Sequence, residues 1–275
     1  MKQRTITAAV FAAAMLGGVF GGAGAFVLLF ALITAGCLWE LMGLLFAAEG
    51  NHLFWRKVLG TASGILPFLS CGGSVLGFWP GGSGQVFAVV ALALVFGLFI
   101  LELFLRSQQP FANIGHYLLG LAYVGVPFAL LVWIAFGNGD YAPMRVFGLL
   151  LLTWTNDTLA YVVGSRIGKR PFFSRISPKK TWEGTLGGMV FTVLIALLLA
   201  QWVLDYSAGE WLLLAGCVAV FGTVGDLVES MLKRSIQIKD SGSLLPGHGG
   251  LLDRFDSFIF VLPFAWLALL LLGGG

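Results

Sequence analysis

The sequence predicts an all-α, polytopic integral membrane protein with about nine transmembrane helices and a cytoplasmic N-terminus. Three observations carry this. Of the 275 residues, 58% are hydrophobic and only 11% charged, with a mean hydropathy of +0.93, whereas a soluble domain carries about 25% charged residues. The apolar residues gather into runs of bilayer-crossing length, helical because backbone polar groups in lipid must be satisfied within the segment. The basic residues then fall almost entirely on one side of the threaded chain.

The first apolar run, residues 5–46, is long enough for two crossings at about 20 residues each and divides at the glycines of 17–24. Lys2 and Arg4 followed by an apolar run and small residues to Gly24 also mimic a secretory signal. A spanning helix explains the same pattern, and the topology requires it. Further spans are expected over about 58–78, 86–105, 114–136, 143–164, 185–203, 210–231 and 257–273. The third is the most interrupted, by Gly60, Gly64, Pro67, Gly72 and Gly73.

With the N-terminus inside, this count places Lys2, Arg4, Arg56, Lys57 and Arg106 on the cytoplasmic side. The six basic residues of 166–180 and the four of 233–254 join them, and of the sixteen Lys and Arg only Arg145 lands outside. The opposite loops near 79–85, 137–142 and 204–209 contain none. The bias supports both count and orientation, and it puts two charged loops where cytosolic nucleotides reach them.

No internal repeat or low-complexity tail is evident. The chain reads as a single membrane-embedded domain, 1–275, with N-terminal transmembrane helices over 1–142 and a C-terminal catalytic transmembrane region over 143–275. Cys37, Cys71 and Cys217 sit singly in apolar runs, so neither a disulfide framework nor a zinc site is implied. In the early spans Glu40 and Glu102 are the polar exceptions, each near a cytoplasmic end, and suit either an interfacial carboxylate or a substrate contact.

Five of the thirteen acidic residues fall within 221–258: Asp226, Glu229, Asp240, Asp253 and Asp256. Lys233, Arg234, Lys239, His248 and Arg254 lie among them. Charge beside membrane helices is costly, so such a cluster points to function. Asp226, Glu229, Ser230 and Lys233 stand at i, i+3, i+4 and i+7, one face of a helix. That face suits metal and phosphate, and equally an interhelical ion-pair network. Asp253 and Asp256 open the last span, where the helix dipole alone would favour them. Two acidic pairs joined by a Gly/Pro-rich loop fit a hard cation such as Mg²⁺, which takes oxygen ligands and substrate phosphates. His248, between Gly247 and Gly249, is placed either to touch a phosphate or to close the turn.

The second constellation runs over 155–188. Asn156 and Asp157, about two turns before the end of the sixth span, should face the bundle interior or a hydrated cavity. Positive-inside topology alone accounts for Arg166 and Lys169. In SPKKTWEG at 177–184, Lys179, Lys180, the Thr181 hydroxyl and the glycines predict a phosphate-binding loop feeding the next helix. Glu183 suits a helix N-terminus or a cation. GxxxxGK[ST] is absent, so this is not a Walker A loop.

SMLKR at 230–234, KD at 239–240, Gly242 and PGHGGLLDRFD at 246–256 together resemble the signature of phosphatidate cytidylyltransferases, with spacing intact. NDTLAYVVGSRIGKRPFFSRISPKKTWEG at 156–184 is similar to that family's second block. The resemblance is motif-level over about 153–258 and rests on hydropathy alone before that. It implies a membrane nucleotidyltransferase of phospholipid biosynthesis that converts CTP and phosphatidate to CDP-diacylglycerol and pyrophosphate. Mg²⁺, a second, monovalent cation such as K⁺, a homodimer in the cell membrane and an active site facing the cytoplasm follow from it; nucleic acid does not. Under this reading Asp226, Asp253 and Asp256 hold the metal, and Lys233 joins them as catalytic. Lys179, Lys180, Thr181, Glu183, Ser230, Arg234, Lys239, Asp240, His248 and Arg254 bind substrate. A CTP-dependent kinase of a polyprenol or similar lipid alcohol is the alternative, releasing CDP in place of pyrophosphate. A transporter lined by Asp157 and Asp226 would instead spread charge through several spans or show paired broken helices.

Overall fold

The computed structural model describes residues 2–79, 84–105, 107–137, 139–242 and 249–272. The chain is overwhelmingly helical. In order the helices are α1 (Lys2–Phe20), α2 (Ala23–Leu45), α3 (Leu53–Gly64), α4 (Leu66–Val75), α5 (Gly84–Leu105), α6 (Pro110–Gly120), α7 (Val126–Phe136), α8 (Pro143–Ile167), α9 (Trp182–Trp202), α10 (Ala208–Cys217), α11 (Thr223–Ser235) and α12 (Leu252–Leu271). Among the described residues seven segments are long and apolar enough to cross a membrane: Ala23–Leu45, Leu53–Val75, Pro110–Phe136, Pro143–Ile167, Trp182–Trp202, Ala208–Ser235 and Leu252–Leu271. Thr7–Phe20 and Leu92–Leu105, in the first and fourth expected spans, are apolar but shorter. The chain is therefore a multi-pass membrane protein, with seven crossing-length helices described where about nine spans were expected.

Glycine and proline set the joints inside these spans. Pro67 sits in the first turn of α4, so the third span is interrupted at Ile65, between α3 and α4. Two spans contain a π-helical turn, Leu121–Gly125 between α6 and α7 and Val218–Gly222 between α10 and α11.

The chain divides into two compact units, residues 1–132 with 241–252, and 133–240 with 253–275. In the first unit α3 lies against α2: a Cβ added to Gly64 would meet Leu38 at 2.7 Å, and one at Gly60 would reach the Met42 side chain at 2.5 Å. Arg56 is buried there and ion-paired with Glu102. It also donates to Tyr117 Oη at 3.2 Å and Ser107 Oγ at 2.8 Å, while Asn113 donates to Glu102 at 3.2 Å. Glu102, at 3% exposure, is thus a buried structural carboxylate and not an interfacial one.

In the second unit α8 and α9 form an intimate pair. Added Cβ atoms at Gly184 and Gly188 would stand 2.6 Å from Ala160 O and 2.7 Å from Asn156 O, so only glycine lets the backbones approach this closely. Between these helices lies the one departure from all-α architecture among the described residues. It is an antiparallel hairpin, β1 (Pro171–Phe173) and β2 (Ser177–Thr181), with Pro171 opposite Thr181 and Phe173 opposite Ser177. Thr181 ends the hairpin and begins α9, its Oγ1 accepting from Gly184 N at 3.2 Å. Ser207 and Glu210 form a reciprocal capping box at the start of α10. Arg145, the single basic residue expected outside, lies 3.9 Å from Asp205 and 5.0 Å from the Tyr206 ring centroid.

Candidate active site

The site is built on α11, whose polar face carries Asp226, Glu229, Ser230 and Lys233 as their spacing requires. A Cβ on Gly225 would meet Phe260 Cβ at 2.6 Å and Asp256 O at 2.9 Å. The absence of a side chain there lets α12 approach α11 and brings both expected acidic pairs into one neighbourhood.

Lys233 joins the two pairs. Its Nζ donates to Glu229 Oε2 at 3.0 Å and to Asp253 Oδ1 at 2.6 Å. Glu229 is fully buried, and the Lys233 and Asp253 side chains are only 12% and 11% exposed. One ammonium between two carboxylates at this depth is held strongly, because removing it would strand two charges away from water.

Asp226 makes the second junction. Lys180, at the end of β2, places Nζ 2.6 Å from Asp226 Oδ2, and Ser230 Oγ donates to Oδ1 at 3.2 Å. This ion pair joins the 177–184 block to the 221–258 block on the wall of a cavity of about 560 Å³. Asn156, Asp157, Tyr161, Lys179, Thr181 and Thr223 also line that cavity. Both members of the Lys180–Asp226 pair keep a quarter to a third of their side-chain surface exposed, so the pair is open to exchange with an entering anion.

Asp157, Asp226, Asp256 and Glu229 lie close enough for their charges to repel one another. Asp256 Oδ1 accepts from Ser257 N at 2.6 Å, and Ser257 Oγ donates to Asp157 Oδ1 at 3.4 Å. The donor set is all oxygen, and two ammonium groups, Lys180 and Lys233, answer five carboxylates once Asp253 is included. That excess of negative charge suits a hard divalent cation. No three carboxylate, histidine or cysteine groups among the described residues converge into a site that would enclose a metal unaided. The arrangement therefore fits an ion completed by substrate phosphates.

The remaining expected residues lie elsewhere. Glu183 accepts from the backbone N–H groups of Lys169 at 3.0 Å and Arg170 at 3.2 Å, bracing the corner where α8 enters the hairpin. Thr181 both caps α9 and lines the cavity. Arg234 donates to Ile238 O at 3.2 Å and so shapes the turn after α11. Lys239, Asp240 and Arg254 are exposed, and His248 lies outside the described residues. Gly184, which the sequence suggests as part of a phosphate loop, packs α9 on α8, and Gly188 one turn on does the same.

Two further residues outside the expected site set contribute to the site. Asp157, which the sequence expects to face the bundle interior or a hydrated cavity, opens onto the cavity beside Asp226. Ser257 follows Asp256 and reaches back to Asp157; its sequence neighbourhood gives no signal of this.

Residues 2–272 match the model of the cytidylyltransferase family. The chain is 32% identical over 265 residues, covering 96% of each chain, to the phosphatidate cytidylyltransferase of Staphylococcus haemolyticus (strain JCSC1435). It is 34% identical over 269 residues, again with 96% coverage of both, to that of Staphylococcus aureus (strain COL). The protein of the same name from Bacillus subtilis (strain 168) is 40% identical over 185 residues, 66% of this chain and 68% of the relative.

Proposed function

We propose, since the chain belongs to the cytidylyltransferase family, that it joins CTP and phosphatidate into CDP-diacylglycerol and releases pyrophosphate. The observation that carries this reading is the Lys180–Asp226 pair at 2.6 Å, an ammonium and a carboxylate side by side on a cavity wall, the two kinds of group that a phosphate and a hard cation would take. The names of the relatives support it over most of their length.

A phosphate oxygen of phosphatidate attacks the α-phosphorus of CTP. The bond from that phosphorus to the oxygen bridging to the β-phosphate breaks, and pyrophosphate leaves. The nucleophile is already anionic, so the protein's task is positioning and charge neutralisation rather than proton abstraction. Lys179 and Lys180 meet phosphate groups at the cavity. An arriving phosphate competes with Asp226 for Lys180 and leaves that carboxylate to a cation. Lys233 holds Asp253 in place, and Arg234, Lys239 and Arg254 attract the polyanionic substrate. Asp226, Asp253 and Asp256, which do not converge on one point by themselves, would hold Mg²⁺ together with substrate phosphates, and the ion would lower the repulsion between two anionic phosphates. A second, monovalent cation such as K⁺ would offset the remaining carboxylate charge. The enzyme works as a homodimer in the cell membrane, with the cavity facing the cytoplasm, where CTP is available; the positive-inside bias supports that orientation.

The test is product analysis with CTP labelled separately at the α and γ positions, given phosphatidate and Mg²⁺. Label from α in the lipid and from γ in pyrophosphate is expected. Label from γ in the lipid, with CDP released, would overturn the reading in favour of a lipid kinase.

A further inference from the structure

We propose that Glu40, on α2, is a positioning residue that clamps the two ends of residues 241–252, the part of the signature stretch lying in the first unit. Its Oε2 accepts from Ser241 Oγ at 3.2 Å and from Leu252 N at 2.8 Å, partners 201 and 212 positions away. The side chain is 5% exposed, so it does not reach out to the bilayer surface as an interfacial carboxylate would.

The fit around the carboxylate is close on both sides. A Cβ on Gly250 would stand 2.5 Å from Glu40 Oε2, and one on Gly242 would stand 2.7 Å from its carboxyl carbon. The two glycines therefore leave the room that the carboxylate occupies beside them. Leu252 is the first residue of α12, so its N–H has no partner within the helix. A carboxylate there satisfies the donor and complements the helix dipole. Lys57 lies near enough to attract Glu40, with its ammonium 4.1 Å from the Trp39 ring centroid, which offsets the buried negative charge.

Glu40 thus holds the backbone N–H of Leu252, the residue that precedes Asp253 in the chain. The clamp stands on this geometry alone. Its effect on turnover rests on the cytidylyl-transfer reading.

Hydrogen exchange of the full chain in detergent separates the two. Glu40→Ala should raise deuterium uptake about tenfold in peptides covering 241–252 and leave peptides of α3 and α6 unchanged. Glu40→Gln, whose amide oxygen still accepts from Ser241 and Leu252, should stay within about twofold of the parent. Turnover should fall at least tenfold in Glu40→Ala and recover to within about threefold in Glu40→Gln. Gly250→Ala, which presses a methyl group on the carboxylate, should reproduce the local rise in uptake and keeps the test available if Glu40→Ala fails to fold. Unchanged uptake at 241–252, an equal rise in every peptide, or a Gln variant as loose as the Ala variant would overturn the clamp. The expected uptake pattern in a parent protein that makes no CDP-diacylglycerol would leave the clamp standing and remove the proposed function.

Discussion

Lys180 Nζ and Asp226 Oδ2 are 2.6 Å apart, and through them a β-strand and a transmembrane helix share one cavity wall. The pair is partly open, and its two members have different partners once substrate arrives. Asp226→Asn should abolish cytidylyl transfer, by at least about a hundredfold, with the thermal unfolding midpoint unchanged. Lys180→Ala should raise KM for CTP and lower kcat together. Steady-state kinetics beside a melting curve checks both.

Lys233 has a different exposure and so a different failure. Bound to Glu229 at 3.0 Å and Asp253 at 2.6 Å, it balances carboxylates that are almost wholly buried. Lys233→Met should cost about 3–5 kcal/mol of stability in addition to activity. Pairing it with Glu229→Gln should restore part of the loss in a double-mutant cycle read by detergent unfolding.

Gly184 and Gly188 have no chemical role in the reaction, yet they cannot be enlarged. With Ala160 O and Asn156 O at 2.6 and 2.7 Å from the missing Cβ positions, Gly184→Val or Gly188→Leu must push α9 from α8. That separation would widen the cavity both helices line. The expected result is a lower unfolding midpoint and loss of turnover at all CTP concentrations, in contrast to the KM effect at Lys180.

The Arg56 and Glu102 network makes a stability prediction without a kinetic one. Glu102→Ala leaves Arg56 buried without its carboxylate, and should cost about 3–5 kcal/mol. KM for CTP in the fraction that folds should stay at the parent value, read from the dependence of rate on CTP concentration.

Much of this architecture is legible in the amino-acid sequence. Lipid forces helices, so apolar runs locate the spans within a few residues. The i, i+3, i+4, i+7 pattern at Asp226, Glu229, Ser230 and Lys233 fixes one face of α11 because helical geometry leaves no choice. What a linear pattern does not carry is the partner across space. Glu40 and Glu102 look alike as lone carboxylates near helix ends. One meets Ser241 and Leu252, more than 200 residues away, and the other a buried arginine. The glycines of 184–188 are ambiguous for the same reason: a missing side chain serves a phosphate or a neighbouring helix equally well, and only the neighbour decides. The hairpin β1–β2 leaves no periodic trace, because its five-residue strand SPKKT lacks alternating apolar residues.

The π-helical turn at Val218–Gly222 sets the bearing of everything after it. Such a turn holds one residue more than an α-helix needs over the same rise. Were the same residues wound as regular α-helix instead, Asp226, Glu229 and Lys233 would swing by about 100° around the axis relative to α10. The carboxylates would then look away from Lys180 with no charged side chain altered. A substitution that let this turn rewind as α-helix would be as damaging to the site as loss of its aspartate.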